Sequence, residues 1–273
     1  MQAKKLELMN FSEKTTIGNT DLKVGKLGIA SSYRAPAEAY EEAFEKGCNY
    51  FTLGSFIRGS SSEMKKAIIN ILKKNPRESL VISMVSYAHN AWLTEYYLKE
   101  RLKELQIDYA DVLLLGHFSK RPPQNVINGA LKLKKQGLTS YIGITSHNRK
   151  LIPELHKEGI FDLYHIRYNA ANSGAETDIF PHLPENNKPG IISFTATRWG
   201  QLLKKKKMPD NEPPLSAVDC YKFVLSNPSV DICMSGAKSL KQMKENLEIL
   251  NSGPLSDEEM SRIRKIGDYV YHK

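Results

Sequence analysis

The hydrophobic positions of this chain follow two alternating patterns. Short runs that are almost entirely apolar, such as VLLL and GIISF, are typical of parallel strands buried on both faces. Longer segments carry apolar residues at every third or fourth position, which predicts amphipathic helices. Strands are predicted at residues 27–30, 49–53, 80–85, 111–115, 141–145, 163–167, 190–195 and 230–234. Helices are predicted after them, at residues 36–46, 63–74, 93–105, 124–136, 149–157, 175–182, 216–225 and 240–250.

These elements alternate, strand then helix, along nearly the whole chain. The alternation predicts an α/β fold, a (β/α)8 TIM barrel. A doubly wound open sheet is the alternative, but no G-x-G-x-x-G motif follows the first strand. Residues 15–17 and 22–24 predict an N-terminal β-hairpin, and residues 256–266 predict an extra C-terminal helix. No linker interrupts the pattern, so a single domain over residues 1–273 is expected.

The composition is that of an ordinary globular chain, with 41% hydrophobic and 25% charged residues. No run of about 18 apolar residues is present, so no membrane-spanning helix is expected. The N-terminal residues lack the apolar core of a signal peptide. Cys48, Cys220 and Cys233 lie in apolar stretches without metal-ligand spacing. Buried free thiols are therefore expected, which favours a cytoplasmic location.

The formal net charge of +9 would suit an anionic partner. Its densest part is the lysine run at residues 204–207, which has no interleaved aromatic residues, unlike a platform for single-stranded nucleic acid. We interpret this run as a solvated loop, with attraction of an anionic ligand as the alternative. The expected partner is a small-molecule substrate, with no nucleic acid and no membrane. The sequence indicates no oligomeric state.

The stretch VDICMSGAKSLKQMKENLEIL, residues 230–250, joins the last predicted strand to its helix. Gly236 breaks the strand, and Ser239 and Gln242 have the S-x-x-Q spacing of a capping box. Such a junction presents backbone N–H groups and the positive end of a helix dipole to an anion. Lys238 adds a full charge. The residues therefore favour either a phosphate site or a helix that is simply capped.

The segment GAKSLKQMKEN resembles the pattern G-A-x-S-x-x-Q-x-x-E-N, which closes the barrel of aldo-keto reductases and binds the adenosine phosphate. The resemblance implies an NADP(H) site. It implies NADP(H) rather than NAD(H) because Lys238 would meet the 2′-phosphate. The implied cofactor-binding residues of this segment are Gly236, Lys238, Ser239, Gln242 and Asn246.

Three further segments resemble the same family. GLTSYIGITSHN resembles its fifth strand, where Thr145 and Ser146 would hold the nicotinamide carboxamide. FDLYHIRYNAAN resembles its sixth strand, with His165 where a Gln is usual. FTATRWGQLL resembles the segment whose aromatic residue stacks on the nicotinamide and whose loop contacts the pyrophosphate. The residues implied there are Phe194, Thr195, Arg198, Gly200 and Leu202.

The four catalytic residues of the family are not matched. Thr52 and Ile57 stand where the family has Asp and Tyr, and Val85 and Gly116 stand where it has Lys and His. In the family the Lys ammonium makes the Tyr easier to ionise, so that the Tyr can protonate a carbonyl oxygen as hydride arrives. The four replacements therefore remove the whole group of residues that protonates the substrate in the family, rather than a single contact.

Two other residues are candidate proton donors. His117 lies one residue beyond Gly116, and an imidazole can act as an acid near neutral pH. Tyr87 lies two residues beyond Val85, on the same side by strand periodicity. A packed or pocket-lining ring is the alternative for each. The pocket is expected to be lined by Phe56, Tyr87, His117, Arg167 and Trp199, which favours an anionic or aromatic ligand.

Two functions remain open at this point. The first is an NADP(H)-dependent oxidoreductase that transfers hydride to a carbonyl-type substrate with a non-standard acid. The second is an NADP(H)-binding or sensing protein without catalysis. Unrelated chemistry, such as that of a lyase, is disfavoured because no metal cluster and no strand-end lysine is expected.

Overall fold

Parallel strands form a closed barrel in the computed structural model, which describes residues 10–54, 61–184 and 186–272. Each strand pairs with its neighbour along the chain, and the last strand closes the barrel against the first. The barrel strands are β3 (Leu27–Ala30), β4 (Tyr50–Leu53), β5 (Val81–Ser86), β6 (Ala110–Leu115), β7 (Thr139–Ser146), β8 (Leu163–Arg167), β9 (Gly190–Phe194) and β10 (Ile232–Ser235). The predicted TIM barrel is confirmed.

Helices cover the outside of the barrel. They are α1 (Ala37–Glu45), α2 (Ser62–Leu72), α3 (Ala91–Leu105), α4 (Gln124–Lys135), α5 (Leu151–Lys157), α6 (Ala175–Asp178), α7 (Ala217–Leu225), α8 (Leu240–Leu247) and α9 (Asp257–His272). The helix predicted at 175–182 is divided, because Pro181 lacks an N–H and a separate 3-10 turn, Phe180–His182, begins there. No helix in the described ranges is long and apolar enough to cross a membrane.

The predicted hairpin lies at the N-terminal end of the barrel. Its strands are β1 (Lys14–Thr16) and β2 (Lys23–Gly25), which pair in antiparallel register. Ile17 is fully buried in the same apolar cluster as the inward side chains of the barrel. The N–H of Gly18 donates to Asp231 Oδ2 at 3.2 Å, just before β10. The hairpin therefore closes this end and leaves the opposite end for a site.

Side chains alternate between the barrel interior and the layer under the helices, as strand geometry requires. In β8, Leu163 belongs to the interior cluster, whereas Tyr164 and Ile166 pack in the helix-facing core. The interior is apolar near the hairpin and becomes polar toward the C-terminal ends of the strands. This gradient confines polar chemistry to one end of the fold.

Three aspartates fix the register of neighbouring strands. Asp111, Asp162 and Asp231 each accept a backbone N–H from the preceding strand, at 2.7, 2.8 and 2.8 Å. A hydrogen bond to a charged group contributes about 1.5–3 kcal/mol. A one-residue slip would turn every inward side chain outward, so these contacts also fix which residues reach the site.

Gly267 lies where α9 packs against the loop after β8, and a Cβ added there would lie 2.1 Å from the backbone oxygen of Ala170. We expect Gly267→Ala to destabilise the fold by about 1–3 kcal/mol, because backbone atoms must move. This effect should exceed the gain of about 1 kcal/mol from the better helix propensity of alanine. Calorimetry should show a melting temperature lower by about 2–4 °C for each net kcal/mol.

Ser261→Ala is the matched control for this prediction, because Ser261 lies on the exposed face of the same helix. It should leave the melting temperature nearly unchanged. Equal melting temperatures for Gly267→Ala and the unmodified protein would contradict the close packing of α9.

Candidate functional site

A cavity of about 480 Å³ opens at the C-terminal ends of the barrel strands. Each strand supplies at least one lining residue near that end, namely Ala30, Thr52, Val85, Leu114, Thr145, His165, Phe194, Met234 and Ser235. The loops that follow the strands form the walls. Among the described residues no Asp or Glu lines the cavity, whereas Lys238 and three histidines do. The Lys238 ammonium therefore gives the cavity a positive bias, at the end of the barrel where TIM-barrel sites lie.

Three of the five residues predicted to line the pocket do so: Tyr87, His117 and Trp199. Arg167 lies outside the lining, at the end of β8, and Phe56 lies outside the described residues. Trp199 is 54% exposed. The mouth of the cavity thus presents a large apolar ring to solvent.

The segment after β10 forms one side of the cavity, through Gly236, Lys238, Gln242 and Asn246. Ser239 Oγ accepts the N–H of Gln242 at 3.2 Å, as the predicted cap requires. Gln242 Oε1, however, accepts the N–H of Lys238 at 2.8 Å and not that of Ser239. The predicted capping box is therefore only half formed. The exposed Lys238 ammonium makes no hydrogen bond or salt bridge with any described residue.

A buried polar chain holds this segment in place. Asn246 Nδ2 donates to Ser235 Oγ at 3.0 Å, and that hydroxyl lies 3.0 Å from the hydroxyl of Tyr221. The chain connects α8, β10 and α7. Because the Asn246 amide nitrogen already has this partner, Asn246 positions α8 in addition to lining the cavity.

The loop after β9, the strand next to β10, forms the adjoining side. Thr195, Arg198, Trp199 and Gly200 have φ values of 60, 49, 52 and 77°. Left-handed backbone at non-glycine residues is uncommon and is found at functional turns. Asn169 Nδ2 donates to the backbone oxygen of Thr195 at 2.8 Å and holds the start of the loop. The loop therefore has a fixed, tightly wound backbone against the cavity.

Four residues predicted to bind the cofactor lie outside the cavity lining. The Arg198 guanidinium donates to a backbone oxygen in α9, and Leu202 is fully buried in the helix-facing core. Ser146 Oγ accepts a backbone N–H of its own loop at 3.0 Å. Ser239 caps α8. The other predicted residues, Thr145, His165, Phe194, Thr195, Gly200, Gly236, Lys238, Gln242 and Asn246, all line the cavity.

His165 is the most deeply placed polar residue of the floor. Its Nε2 lies 2.9 Å from the hydroxyl of Tyr50, and both side chains are buried. Burial lowers the pKa of His165 to about 3, so the imidazole stays neutral at physiological pH. Nδ1 has no hydrogen-bond partner within the described part of the chain. His165 therefore offers the cavity one uncharged ring nitrogen in a fixed orientation.

No charged residue stands at the described positions that correspond to the family's catalytic residues. Thr52 and Val85 line the cavity, and Thr52 Oγ1 is buried with no hydrogen-bond partner among the described residues. Ile57 lies outside the described residues. Within residues 10–54, 61–184 and 186–272, no group of three or more His, Cys, Asp or Glu side chains is arranged to hold a metal ion.

Tyr87 occupies the space beside Gly116. A Cβ added to Gly116 would lie 2.6 Å from Tyr87 Cδ1 and 2.9 Å from the backbone oxygen of Ser86. A larger side chain at position 116 is therefore incompatible with this ring position. Burial raises the pKa of the Tyr87 hydroxyl, which makes it a weaker acid.

Two imidazoles lie together at the ends of β6 and β7. The rings of His117 and His147 are 5.0 Å apart in an edge-to-face arrangement, and His147 lies 5.6 Å from the ring of Phe194. Burial lowers the pKa of His147, and the charges of Arg167 and His117 lower it further. The sequence analysis missed His147. Its position directly after the Thr145–Ser146 pair was the available signal.

We expect Gly116→Ala to lower the melting temperature, since the added methyl group must displace the Tyr87 ring. Overpacking of this kind destabilises proteins by about 1–3 kcal/mol. The same substitution made in a Tyr87→Ala background should cost less, with a coupling energy of about 0.5–3 kcal/mol in a double-mutant cycle. Urea denaturation of the four proteins measures this term.

The double-mutant cycle contains its own control, because the cost of Gly116→Ala is measured both with and without the Tyr87 ring. Equal costs of Gly116→Ala in both backgrounds would mean that the Tyr87 ring does not occupy the space beside Gly116.

Comparison with known proteins agrees with this geometry. The sequence profile of the Aldo/keto reductase family matches residues 22–219 and 215–268. The uncharacterized oxidoreductase YqkF of Bacillus subtilis (strain 168) is 22% identical over 92% of this chain and 95% of its own length. The aldo-keto reductase AKR11C1 from Bacillus halodurans (holo form) superimposes with a TM-score of 0.78 at 20% identity, over 93% of this chain and 96% of that one. The thermostable aldo-keto reductase Tm1743, in complex with the inhibitor epalrestat, does so with a TM-score of 0.74 at 19% identity, over 93% and 99%. This chain therefore belongs to the aldo/keto reductase family.

Proposed function

We propose that this chain is an NADP(H)-dependent oxidoreductase that transfers hydride to a carbonyl-type substrate with a non-standard proton donor. One observation carries the proposal. The unpaired Lys238 ammonium and the Phe194 ring, from two different strand ends, line a single cavity that contains no described carboxylate. That combination suits a ligand with a phosphate at one end and an aromatic ring at the other.

The residues present fit the cofactor. Lys238 and the start of α8 would hold the 2′-phosphate, since helix N-termini and ammonium groups both favour phosphate. The loop after β9, from Thr195 to Gly200, would hold the pyrophosphate. Thr195 Oγ1 is buried in this loop without a described hydrogen-bond partner. A ring stacked on Phe194 would lie on the cavity floor.

Thr145 and His165 would orient the carboxamide. Because His165 stays neutral, it can offer a hydrogen bond without placing a second positive charge beside the ring. The Tyr50 hydroxyl fixes the orientation of its imidazole. A bound NADPH supplies the hydride. The chain's own residues must hold the carbonyl group and protonate its oxygen.

His117 is the favoured proton donor, and Tyr87 is the alternative. Both line the cavity. The neighbouring floor residues, Thr52 and Val85, carry no charge that would ease ionisation of a tyrosine. Burial raises the pKa of Tyr87 instead. A histidine needs no such neighbour to give up a proton near neutral pH.

The same replacements favour a second candidate function, an NADP(H)-binding or sensing protein without turnover. Thr52, Val85 and Gly116 remove charge and acid–base groups together, while the Lys238 side of the cavity keeps its ammonium. We also propose that residues 1–273 form one domain and that the protein is cytoplasmic with a small-molecule substrate. The buried free thiols of all three cysteines support that location.

Lys238→Ala should weaken NADPH binding about ten- to a hundredfold and leave NADH binding nearly unchanged. The reason is the loss of one charge-assisted hydrogen bond to the 2′-phosphate, which contributes about 1.5–3 kcal/mol. Fluorescence titration of both cofactors measures the effect. Lys241→Ala is the control, because Lys241 is exposed on the same helix and outside the cavity lining.

A Lys238→Ala variant that weakens both cofactors equally would remove the 2′-phosphate assignment. Absence of NADPH binding by the unmodified protein would remove the proposed function itself.

We expect little or no turnover of simple aldehydes with NADPH, because general acid help is typically worth about 10²–10⁴-fold and the usual unit is absent. Any activity that remains should depend on His117 or Tyr87. With a histidine acid, the rate should fall as pH rises through neutrality. With Tyr87 as the acid, activity should persist to higher pH because its pKa is raised.

The measurement is a pH–rate profile of the unmodified protein, His117→Ala and Tyr87→Phe on a substrate that is reduced. Full rates in both variants would exclude both rings as the proton donor. They would favour a binding protein without turnover, or hydride transfer in which the substrate itself supplies the proton. Brisk reduction of ordinary aldehydes would contradict the assignment of the four replaced positions.

A further inference from the structure

Arg167 is a partly buried cation without a partner. It ends β8, and its guanidinium makes no hydrogen bond or salt bridge with any residue that the structure describes. Burying a charge without a counter-ion is unfavourable, and proteins normally pair such groups. A cation left in this state at the end of a barrel strand is therefore suited to an anion supplied by a ligand.

The neighbouring guanidinium groups do not share this property. Arg149 Nε donates to Asp178 Oδ2 at 2.7 Å, and Arg198 donates to a backbone oxygen in α9. Burial lowers the pKa of Arg167, and the charges of Arg149 and Arg198 lower it further. Both neighbours add positive potential at Arg167 while their own hydrogen bonds hold them in place. The local field thus favours an anion specifically at Arg167.

Arg167 lies beside the cavity floor. It pairs in register with Phe194 on β9, whose ring lines the cavity. His147 lies between this strand end and His117, with its ring 5.6 Å from that of Phe194. Arg167 therefore ends its strand beside Phe194, and the His147 imidazole packs against the Phe194 ring at the same place.

We propose that Arg167 and His147 form an oxyanion subsite, which binds a carboxylate or phosphate group carried by the substrate. The subsite rests on the proposed function, since it places the anion next to the ring on which the nicotinamide would stack. It makes the substrate an anionic carbonyl compound. Guanidinium binds planar carboxylates through two parallel N–H groups, and an imidazole adds one further donor.

The test uses three probes of similar size: benzoate, phenyl phosphate and the neutral benzamide. Calorimetric titrations are made on the full-length protein, with and without saturating NADPH. We expect benzoate or phenyl phosphate to bind at least about tenfold more tightly than benzamide, since a charge-assisted hydrogen bond is worth about 1.5–3 kcal/mol. The preferred anion distinguishes a carboxylate substrate from a phosphate ester.

Arg167→Gln should weaken binding of the preferred anion about ten- to a hundredfold and leave benzamide and NADPH binding unchanged. Arg167→Lys should restore part of the affinity, because it keeps the charge but not the bidentate geometry. Arg121→Gln is the control for net charge. Arg121 lies at the surface, where its Nε donates to Glu158 at 2.8 Å.

A pH series separates a binding role of His147 from a structural one. The charged and titratable groups that face His147 are His117 and Arg167, and those that face Arg167 are Arg149, Arg198 and Tyr271. An anion beside His147 favours its protonated form, so anion binding should tighten as pH falls while the probe stays ionised. His147→Gln should reduce this pH dependence and leave benzamide binding unchanged.

Three results would overturn the subsite. The first is equal affinity of the unmodified protein for benzamide and both anions. The second is unchanged anion binding in folded Arg167→Gln, with folding checked by its melting temperature. The third is a selective loss of NADPH over NADH binding in that variant, which would assign Arg167 to the cofactor phosphate. Anion binding without any NADPH binding would uphold the subsite and reject the proposed function.

Discussion

Closure of the barrel by β10 is the constraint on which the site depends. This strand pairs with β9 on one side and with β3 on the other. Both sides of the cavity are therefore covalently attached to strands that meet at one seam. The wound loop follows β9, and the segment that carries Lys238 follows β10. The buried chain from Asn246 through Ser235 to Tyr221 then fixes α8 against the seam. Without closure, β10 and β3 would be the two edges of an open sheet, so Lys238 would lie far from Ala30, which lines the same cavity.

The two ends of the barrel interior have different roles: one end is filled by apolar side chains, and the other end carries the polar residues of the site. Near the hairpin, apolar side chains such as Ile17 and Leu163 fill the barrel, and hydrophobic burial stabilises that end. Toward the other end the same inward positions hold Thr52, Thr145 and His165. A buried imidazole there stays neutral and needs a hydrogen-bond partner, which Tyr50 provides from the layer below. The contact joins the stable part of the core to the floor of the site.

Periodicity was sufficient to predict the barrel, because each strand is buried on both faces and each helix on one. Strand β8 and the helix over Gln124–Lys135 lie within a residue of the predicted bounds. The segment at 175–182 was mispredicted because helical spacing of apolar residues outweighed Pro181. For the site, the spacing of the motifs predicted which segments surround the cavity, but it did not predict which of their side chains point into it. Leu202 faces the core and Arg198 bonds to α9, since tertiary contacts between distant elements decide where a side chain points.

The replaced catalytic positions and the cations around the cavity belong to one electrostatic arrangement. In a family site with an ion-paired Asp and Lys, the two charges largely cancel, and the site is close to neutral. Here Thr52 and Val85 carry no charge, and no described carboxylate lines the cavity to offset Lys238. Arg167 adds a second cation without a described side-chain partner, in register with Phe194. The partly buried Arg167 is unfavourable without a counter-ion, whereas the exposed Lys238 ammonium is hydrated. A ligand with two separated anionic groups, or two ligands with one each, would meet both cations, so the proposed cofactor site and the proposed subsite would both select ligands by charge.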